Sequence, residues 1–313
     1  MILITGAAGF IGYHLCKKLC QKYEIIGIDN INDYYDVELK LARLSDIDCK
    51  IVFNKCDIKD KNELFRILND YKIDTIIHLA AQAGVRYSVE NPQTYIDNNV
   101  TGFLNILELA RGKGARLLYA SSSSVYGDNK TQIFKETDAV GKPLSIYAST
   151  KQTNEQMAYV FNSQYGLTNI GLRFFTVYGE YGRPDMAIYK FTDKILKSEQ
   201  IELYNNGDMA RDFTYVVDCV SAIQMLLESN IQGYEIYNIA GGNQIQLKRL
   251  LQIIETEIGI RAKVKYTAMQ MGDMQETRAD ISKIRQLGYE PANNIELGIK
   301  NFVEWFKKYH AVF

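Results

Sequence analysis

Proline is scarce, at four of 313 residues, and cysteine numbers only five. With so few prolines and no Gly/Ser-rich stretch, nothing reads as a linker, so any second lobe is expected to pack directly on the first. The cysteines (Cys16, Cys20, Cys49, Cys56 and Cys219) are odd in number and contain no Cys-x-x-Cys, which points to neither a disulfide framework nor a zinc ribbon. His14, Cys16 and Cys20 share one predicted helix, but His14 and Cys16 are two apart and face different sides. No metal is expected, and the thiols are expected to be buried and reduced. Charge excess is missing too: 36 Lys plus Arg against 37 Asp plus Glu leave −1, too little to hold a nucleic-acid backbone. No apolar run reaches the length of a membrane span. The opening Met1-Ile2-Leu3-Ile4-Thr5-Gly6 meets glycine before a signal-length apolar region develops, so a cytoplasmic protein is expected.

What is present is a strand–helix alternation. Short apolar runs at 1–5, 24–28, 50–53, 75–78, 116–120 and 169–173 read as strands. Helical patterns separate them, clearest at 10–21, 62–70, 94–110 and 148–165. Such alternation predicts an α/β fold, a doubly wound parallel Rossmann sheet covered on both faces. From about Phe175 the rhythm loosens into helical segments at 186–197, 216–229, 247–258 and 295–309 with short strands between. The expected division is residues 1–174 as a dinucleotide-binding domain and 175–313 as a smaller mixed α/β substrate lobe, with an interleaved boundary. No internal repeat is evident.

The first strand runs into Thr5-Gly6-Ala7-Ala8-Gly9-Phe10-Ile11-Gly12, which opens the first helix. Glycines let the backbone approach a pyrophosphate, and the helix amino end offers free N–H groups. The spacing is Gly-x-x-Gly-x-x-Gly, one residue wider in its first gap than the usual fingerprint, so a structural glycine turn competes with this reading. Asp29, at the end of the second strand, weakens that competitor. Its carboxylate suits the ribose hydroxyls of adenosine and repels a 2′-phosphate, and Asn30, Ile31 and Asn32 supply no arginine, which favours NAD over NADP. Asp57 and Ile58 follow the third strand, where adenine would lie. His78 reads as a packed residue. Leu79, Ala80 and Ala81 after it put small groups where a dinucleotide crosses the sheet edge.

Tyr147-Ala-Ser-Thr-Lys151 sets a phenol and an ammonium four apart on one helical face. Tyrosine is a poor base near neutrality, with an ordinary pKa of about 10. A neighbouring lysine and an oxidised nicotinamide both favour the phenolate, so this phenol's pKa is expected to be lowered. Ser122 after the fifth strand can share a hydrogen bond with the reacting hydroxyl. Here the chain resembles the extended short-chain dehydrogenases that act on nucleotide sugars, through residues 5–12, 78–81, Asn99, 121–127, 147–151 and 173–179. More closely it resembles the UDP-glucuronate 4-epimerases of bacteria and plants, through Asp29-Asn-Ile-Asn-Asp-Tyr-Tyr-Asp36, Ala80-Ala-Gln-Ala-Gly-Val-Arg-Tyr-Ser88, Arg173-Phe-Phe-Thr-Val-Tyr-Gly179 and Arg183-Pro-Asp-Met-Ala187.

The resemblance implies a cycle in which Tyr147 takes the 4-hydroxyl proton while hydride passes to NAD. The 4-keto sugar then turns and is reduced from its other face, and NAD is regenerated. It also implies Asn99 as a cofactor contact, Arg211 on the substrate pyrophosphate, Asp273 and Arg278 as further nucleotide contacts, and a homodimer. Tyr204 is either a platform for uracil or a core aromatic at a strand end. For the sugar, Arg183 suits a 6-carboxylate, with Ser124 and Thr176 as hydroxyl donors and Arg86 as the second arginine. For both arginines an ordinary ion pair is the competing reading. Ser123 and Ser124 stand where related dehydratases have Asp-Glu and where decarboxylases have a glutamate at the second position. Gln152 stands where the decarboxylases carry arginine. Two alternatives stay open: a UDP-glucose or UDP-N-acetylglucosamine 4-epimerase, and a non-catalytic nucleotide sensor.

Overall fold

The computed structural model describes residues 1–129, 131, 133–269, 274–292 and 294–311. In chain order the strands are β1 (Ile2–Thr5), β2 (Ile25–Asp29), β3 (Val52–Lys55), β4 (Thr75–His78), β5 (Arg116–Ser122), β6 (Asn169–Phe174), β7 (Thr176–Tyr178), β8 (Gln200–Leu203), β9 (Ala210–Tyr215), β10 (Tyr234–Ile239), β11 (Gln244–Gln246) and β12 (Lys263–Tyr266). Seven of them form one parallel sheet in the order β10-β6-β5-β4-β1-β2-β3. Successive side chains on a strand point to opposite faces. Accordingly Ile2 and Ile4 enter one apolar cluster and Leu3 the other, and Ile77 and Leu118 separate in the same way from Ile76 and Leu117. Both faces are therefore buried under helices, as the sequence predicts.

The chain order reverses between β1 and β4, the place where such sheets leave a crevice at their strand ends. The sheet's seventh strand, β10, comes from beyond position 175, and the helix Val216–Glu228 packs on Phe10–Leu19. One apolar cluster runs from Ile4 through Phe213 and Ile254 to Phe302 and Phe306, joining the two parts of the chain. Beside it lie two small sheets, β11-β9-β7 and β12-β8.

Three features differ from the sequence expectation. Helix 94–110 is really a short helix Pro92–Tyr95, a π-helical turn Ile96–Thr101 and the helix Gly102–Lys113. The Asn98 amide donates to the Thr94 carbonyl at 2.8 Å, competing with the regular ladder and widening the turn. A helix at Val37–Ser45, capped by Asp36, was not among the predicted segments. Cys20 and Cys49 are joined in a disulfide, against the expectation of reduced thiols, while Cys16, Cys56 and Cys219 are free and buried. Cys20 caps the first helix and meets the loop before β3, with the two Cα atoms 6.2 Å apart, a tertiary pairing that no spacing reveals. Asp48 lies beside the two sulfurs as a possible metal-ligand group, but the disulfide occupies both thiols.

Strand β9 is held to the later chain at Gly241, Gly242 and Ala279 by Asp212, which is fully buried. Its Oδ1 accepts the Gly241 and Gly242 N–H groups at 3.0 and 3.2 Å, and its Oδ2 accepts the Ala279 N–H at 3.2 Å. Because both oxygens are acceptors, Asp212→Asn turns an amide nitrogen toward an N–H. The expected loss is about 1–3 kcal/mol, the cost of an unsatisfied buried donor. A thermal midpoint unchanged from wild type would remove Asp212 from this role.

Candidate functional site

A cavity of about 900 Å³ opens along the carboxyl ends of the parallel strands and continues to β9 and the helix Ala187–Leu196. Its floor begins at the glycine loop. Gly6 has φ +73°, and a Cβ there would lie 2.8 Å from the Ala80 nitrogen; a Cβ on Gly12 would lie 2.0 Å from the Gly6 carbonyl oxygen. Only glycine fits either position. Gly9 caps the helix Phe10–Leu19 with no side-chain bond, which leaves the first-turn N–H groups to a ligand. This cradle fits a dinucleotide pyrophosphate.

Asp29 ends β2, and its carboxylate accepts the Ala8 N–H at 3.1 Å and the Ile31 N–H at 2.8 Å. Burial raises its pKa, opposed by those N–H groups and by the charges of Lys40 and Arg43. Sequence reading missed both cations, because they stand on the unpredicted helix Val37–Ser45. Their donors are already engaged. Lys40 bonds Asn32 at its carbonyl and side-chain oxygens, 2.5 and 2.7 Å. Fully buried Arg43 bonds the Ala8 carbonyl at 3.0 Å, the Tyr35 hydroxyl at 2.6 Å and the Tyr181 carbonyl at 2.7 Å. Arg43 thereby ties the glycine loop to the second half of the chain.

Most of the predicted residues face this one cavity: Gly6, Gly9, Phe10, Ile11, Gly12, Asp29, Asn30, Asn32, Ile58, Leu79, Ala80 and Ala81 toward the glycine loop, Ser122, Tyr147 and Lys151 in the middle, and Arg86, Ser123, Ser124, Thr176, Arg183, Tyr204 and Arg211 toward β9. Three do not. Asp57 is turned aside and pairs with Asn30 at 3.2 Å. Asn99 is buried with its amide bound to the Gln82 backbone at 2.8 and 3.0 Å and to Thr150 at 3.1 Å, so it holds the 79–82 turn in place and does not line the cavity. Arg278 is exposed, whereas Thr277 beside it lines the cavity, since neighbours on extended chain point to opposite sides. Asp273 lies outside the described residues. His78 is the packed residue expected, its Nδ1 paired with the Thr5 hydroxyl at 2.7 Å and its pKa pushed down by burial to about 3.

At the centre, Tyr147 stands in the first turn of the helix Ile146–Tyr165, capped by Ser145. Lys151 Nζ donates to the Ala120 carbonyl at 2.8 Å, and burial pushes its pKa down to about 8. The expected lowering of the Tyr147 pKa is not seen. Burial raises it, and the Ser122 hydrogen bond and the Arg183 charge oppose that only in part. Lys151 is not among the influences; its ammonium lies 6.0 Å from the ring centre. Below them is a group the sequence reading missed. Glu155 accepts the Ser121 hydroxyl at 2.5 Å and pairs with buried Arg173 at 2.8 and 2.9 Å. Its position one helical turn after Lys151 was the available signal.

Toward the second lobe, Arg183 makes a two-pronged pair with Asp185, Nε to Oδ1 at 2.9 Å and Nη2 to Oδ2. Arg211 bonds the Ala210 carbonyl at 3.0 Å and the Gln275 carbonyl at 2.9 Å, fixing the 274–275 segment at the cavity wall. The Arg86 guanidinium lies 4.7 Å over the Tyr204 ring, and the Tyr204 hydroxyl donates to Glu202 at 2.9 Å.

A glycine cradle, a carboxylate at the end of β2 and a Ser–Tyr–Lys set in one crevice define a dinucleotide-dependent enzyme of the short-chain dehydrogenase type. The model of the NAD dependent epimerase/dehydratase family matches residues 2–240, and the chain belongs to that family. It is 44% identical to protein CapI of Staphylococcus aureus over 99% of both chains. It is 39% identical to UDP-glucuronate 4-epimerase 4 of Arabidopsis thaliana, over 99% of this chain and 76% of that one. The crystal structure of UDP-glucuronic acid 4-epimerase from Bacillus cereus, in complex with UDP-glucuronic acid and NAD, superposes with a TM-score of 0.92 at 32% identity, covering 98% and 99% of the two chains. Among the described residues no helix is long and apolar enough to cross a membrane.

Proposed function

We propose that the protein inverts the 4-hydroxyl of UDP-glucuronate, giving UDP-galacturonate through a transient 4-keto sugar. The observation that carries this reading is the position of Arg183. It lines the same cavity as Tyr147 and its charge acts on that phenol, so a cation suited to a sugar carboxylate shares the cavity with the acid/base hydroxyl. When bound, NAD takes up and returns the hydride at C4, and its positive charge favours the Tyr147 phenolate. Tyr147 accepts the 4-hydroxyl proton and later returns it. Ser122 orients the same hydroxyl, and Lys151, anchored on Ala120, presents its ammonium to the cofactor side. Gly6, Gly9 and Gly12 admit the pyrophosphate, Asp29 takes the ribose, and Arg211 meets the phosphates of the UDP. Ser124 bonds Ser122 at 3.0 Å and, with Thr176, offers hydroxyl donors to the carboxylate. The helices 102–113 and 146–165 leave Leu104, Tyr159 and Val160 exposed, the apolar surface a homodimer of this chain would cover.

The test is turnover of UDP-glucuronate, UDP-glucose and their N-acetylated analogues side by side. Epimerisation confined to the neutral sugars would overturn the reading. That second reading has one observation in its favour, the Asp185 carboxylate that already neutralises Arg183. Arg183→Ala is expected to weaken UDP-glucuronate roughly 10–100-fold, the worth of one charge-assisted bond, and UDP-glucose little. Loss of carbon dioxide from the β-keto acid intermediate is expected alongside, read as 4-keto pentose in the products. Unchanged affinity and products would exclude Arg183 and leave Arg86.

Asp29→Ala is expected to weaken NAD more than NADP in a binding titration, because it removes hydroxyl acceptors and a repelling charge together. Equal losses for the two would refute the assignment.

A further inference from the structure

The carboxylate end of the cavity has a charge problem. Arg183 spends one edge of its guanidinium on Asp185, so the pair is neutral, while a uronate brings one negative charge more than the neutral sugar. Asp185 is itself held by the Tyr34 hydroxyl at 3.4 Å. Tyr34 is packed against Gly84, where a Cβ would lie 2.5 Å from that hydroxyl, and against the Tyr87 ring with centres 5.0 Å apart. The fork is fixed on Asp185, Arg183 lines the cavity, and its charge is partly offset.

Further cations line the same cavity, Arg86 and Lys190 among them. Lys190 stands on the first turn of the helix Ala187–Leu196 and lines the cavity with Arg183 and Asp185. Among the described residues it makes no hydrogen bond or ion pair, whereas its neighbour Lys194 is bonded to the Gln200 carbonyl at 3.1 Å. We propose that Lys190 completes the carboxylate site: Asp185 and Tyr34 orient Arg183 at the expense of its charge, and Lys190 restores that charge by binding the 6-carboxylate. Burial and the charges of Arg86, Lys194 and Arg183 lower the pKa of the Lys190 ammonium, Asp185 raises it, and its charge in turn stabilises the Asp185 carboxylate. An anion beside Lys190 relieves the repulsion from Arg86, as expected of a cation prepared for an anionic ligand. Lys190 is then a specificity residue, and Asp185 a positioning residue acting through Arg183.

The proposal rests on the uronate reading, whose own test is wild-type turnover; the experiment here measures binding alone. Titrations of UDP-glucuronate, UDP-glucose and UDP are made calorimetrically on the NAD-loaded Tyr147→Phe protein, in which the sugar is not interconverted. Adding Lys190→Met is expected to raise the Kd of UDP-glucuronate at least tenfold and to change UDP-glucose and UDP less than twofold. Lys190→Arg should restore most of the loss, and thermal unfolding of both variants should match the parent. If Asp185 cancels the charge of Arg183, Asp185→Asn combined with Lys190→Met should bind UDP-glucuronate more tightly than Lys190→Met alone. Unchanged glucuronate affinity overturns the proposal, as does an equal loss for all three ligands, which would put Lys190 on the phosphates. A double variant that binds UDP-glucuronate no more tightly than Lys190→Met alone overturns the charge-offsetting role of Asp185.

Discussion

Tyr147→Phe is expected to lower epimerisation by roughly 10²–10⁴-fold, the usual worth of a positioned acid/base group, with the fold and NAD binding kept. The substitution removes one oxygen. The ring keeps its packing against Tyr95, centres 6.1 Å apart, and the helix keeps its Ser145 cap. What is lost is the phenol oxygen that shares a hydrogen bond with Ser122 and feels the charge of Arg183. Because burial raises the pKa of this phenol, a water molecule cannot take its place cheaply: the same desolvation opposes any charged base formed there. Rate, thermal midpoint and bound NAD should be measured together. A variant that is folded, NAD-loaded and fully active would show that the proton moves through another group.

The parts of this site that were legible in the sequence are those whose chemistry is local. Gly6 and Gly12 are needed for the shape of a single turn, Asp29 ends the next strand, and Tyr147 and Lys151 are one helical turn apart. What was not legible depends on partners far along the chain. Arg43 is defined by carbonyls at Ala8 and Tyr181, Asp212 by N–H groups at Gly241, Gly242 and Ala279, and Cys20 by Cys49. Asn99 was recognised as important, but its atoms are spent on Gln82 and Thr150, so its influence on the cofactor end passes through the 79–82 turn. Arg278 shows how small the margin is. A shift of one residue on extended chain exchanges an exposed guanidinium for the cavity-lining Thr277. The fold was readable because alternating strands and helices write their periodicity into sequence. Strand β10 is not placed in the main sheet by sequence, since its pairing with β6 is a tertiary event across the intervening residues 175–233.

Glu155→Ala is expected to cost about 3–5 kcal/mol of stability, the typical penalty for stripping one partner from a buried ion pair. Arg173 and Glu155 are both nearly inaccessible, with side-chain exposures of 3% and 7%, so water cannot solvate the guanidinium left behind. Among the described residues Arg173 Nη1 has no hydrogen-bond partner, and the guanidinium lies 4.8 Å over the Tyr126 ring, so the pair with Glu155 carries its charge compensation. The Ser121 hydroxyl, one residue before Ser122, loses its acceptor as well. Stability alone would not separate this from any core defect, but Glu155→Gln gives a second reading. The Glu155 charge raises the pKa of Lys151 against the burial that holds it near 8. Removing that charge lowers the pKa further, so the ammonium is lost at a lower pH. The alkaline limb of the activity profile should therefore move to lower pH in Glu155→Gln, with the acid limb unmoved. A destabilised variant whose alkaline limb stays in place would make Glu155 a packing residue and separate the ion pair from the chemistry of Lys151.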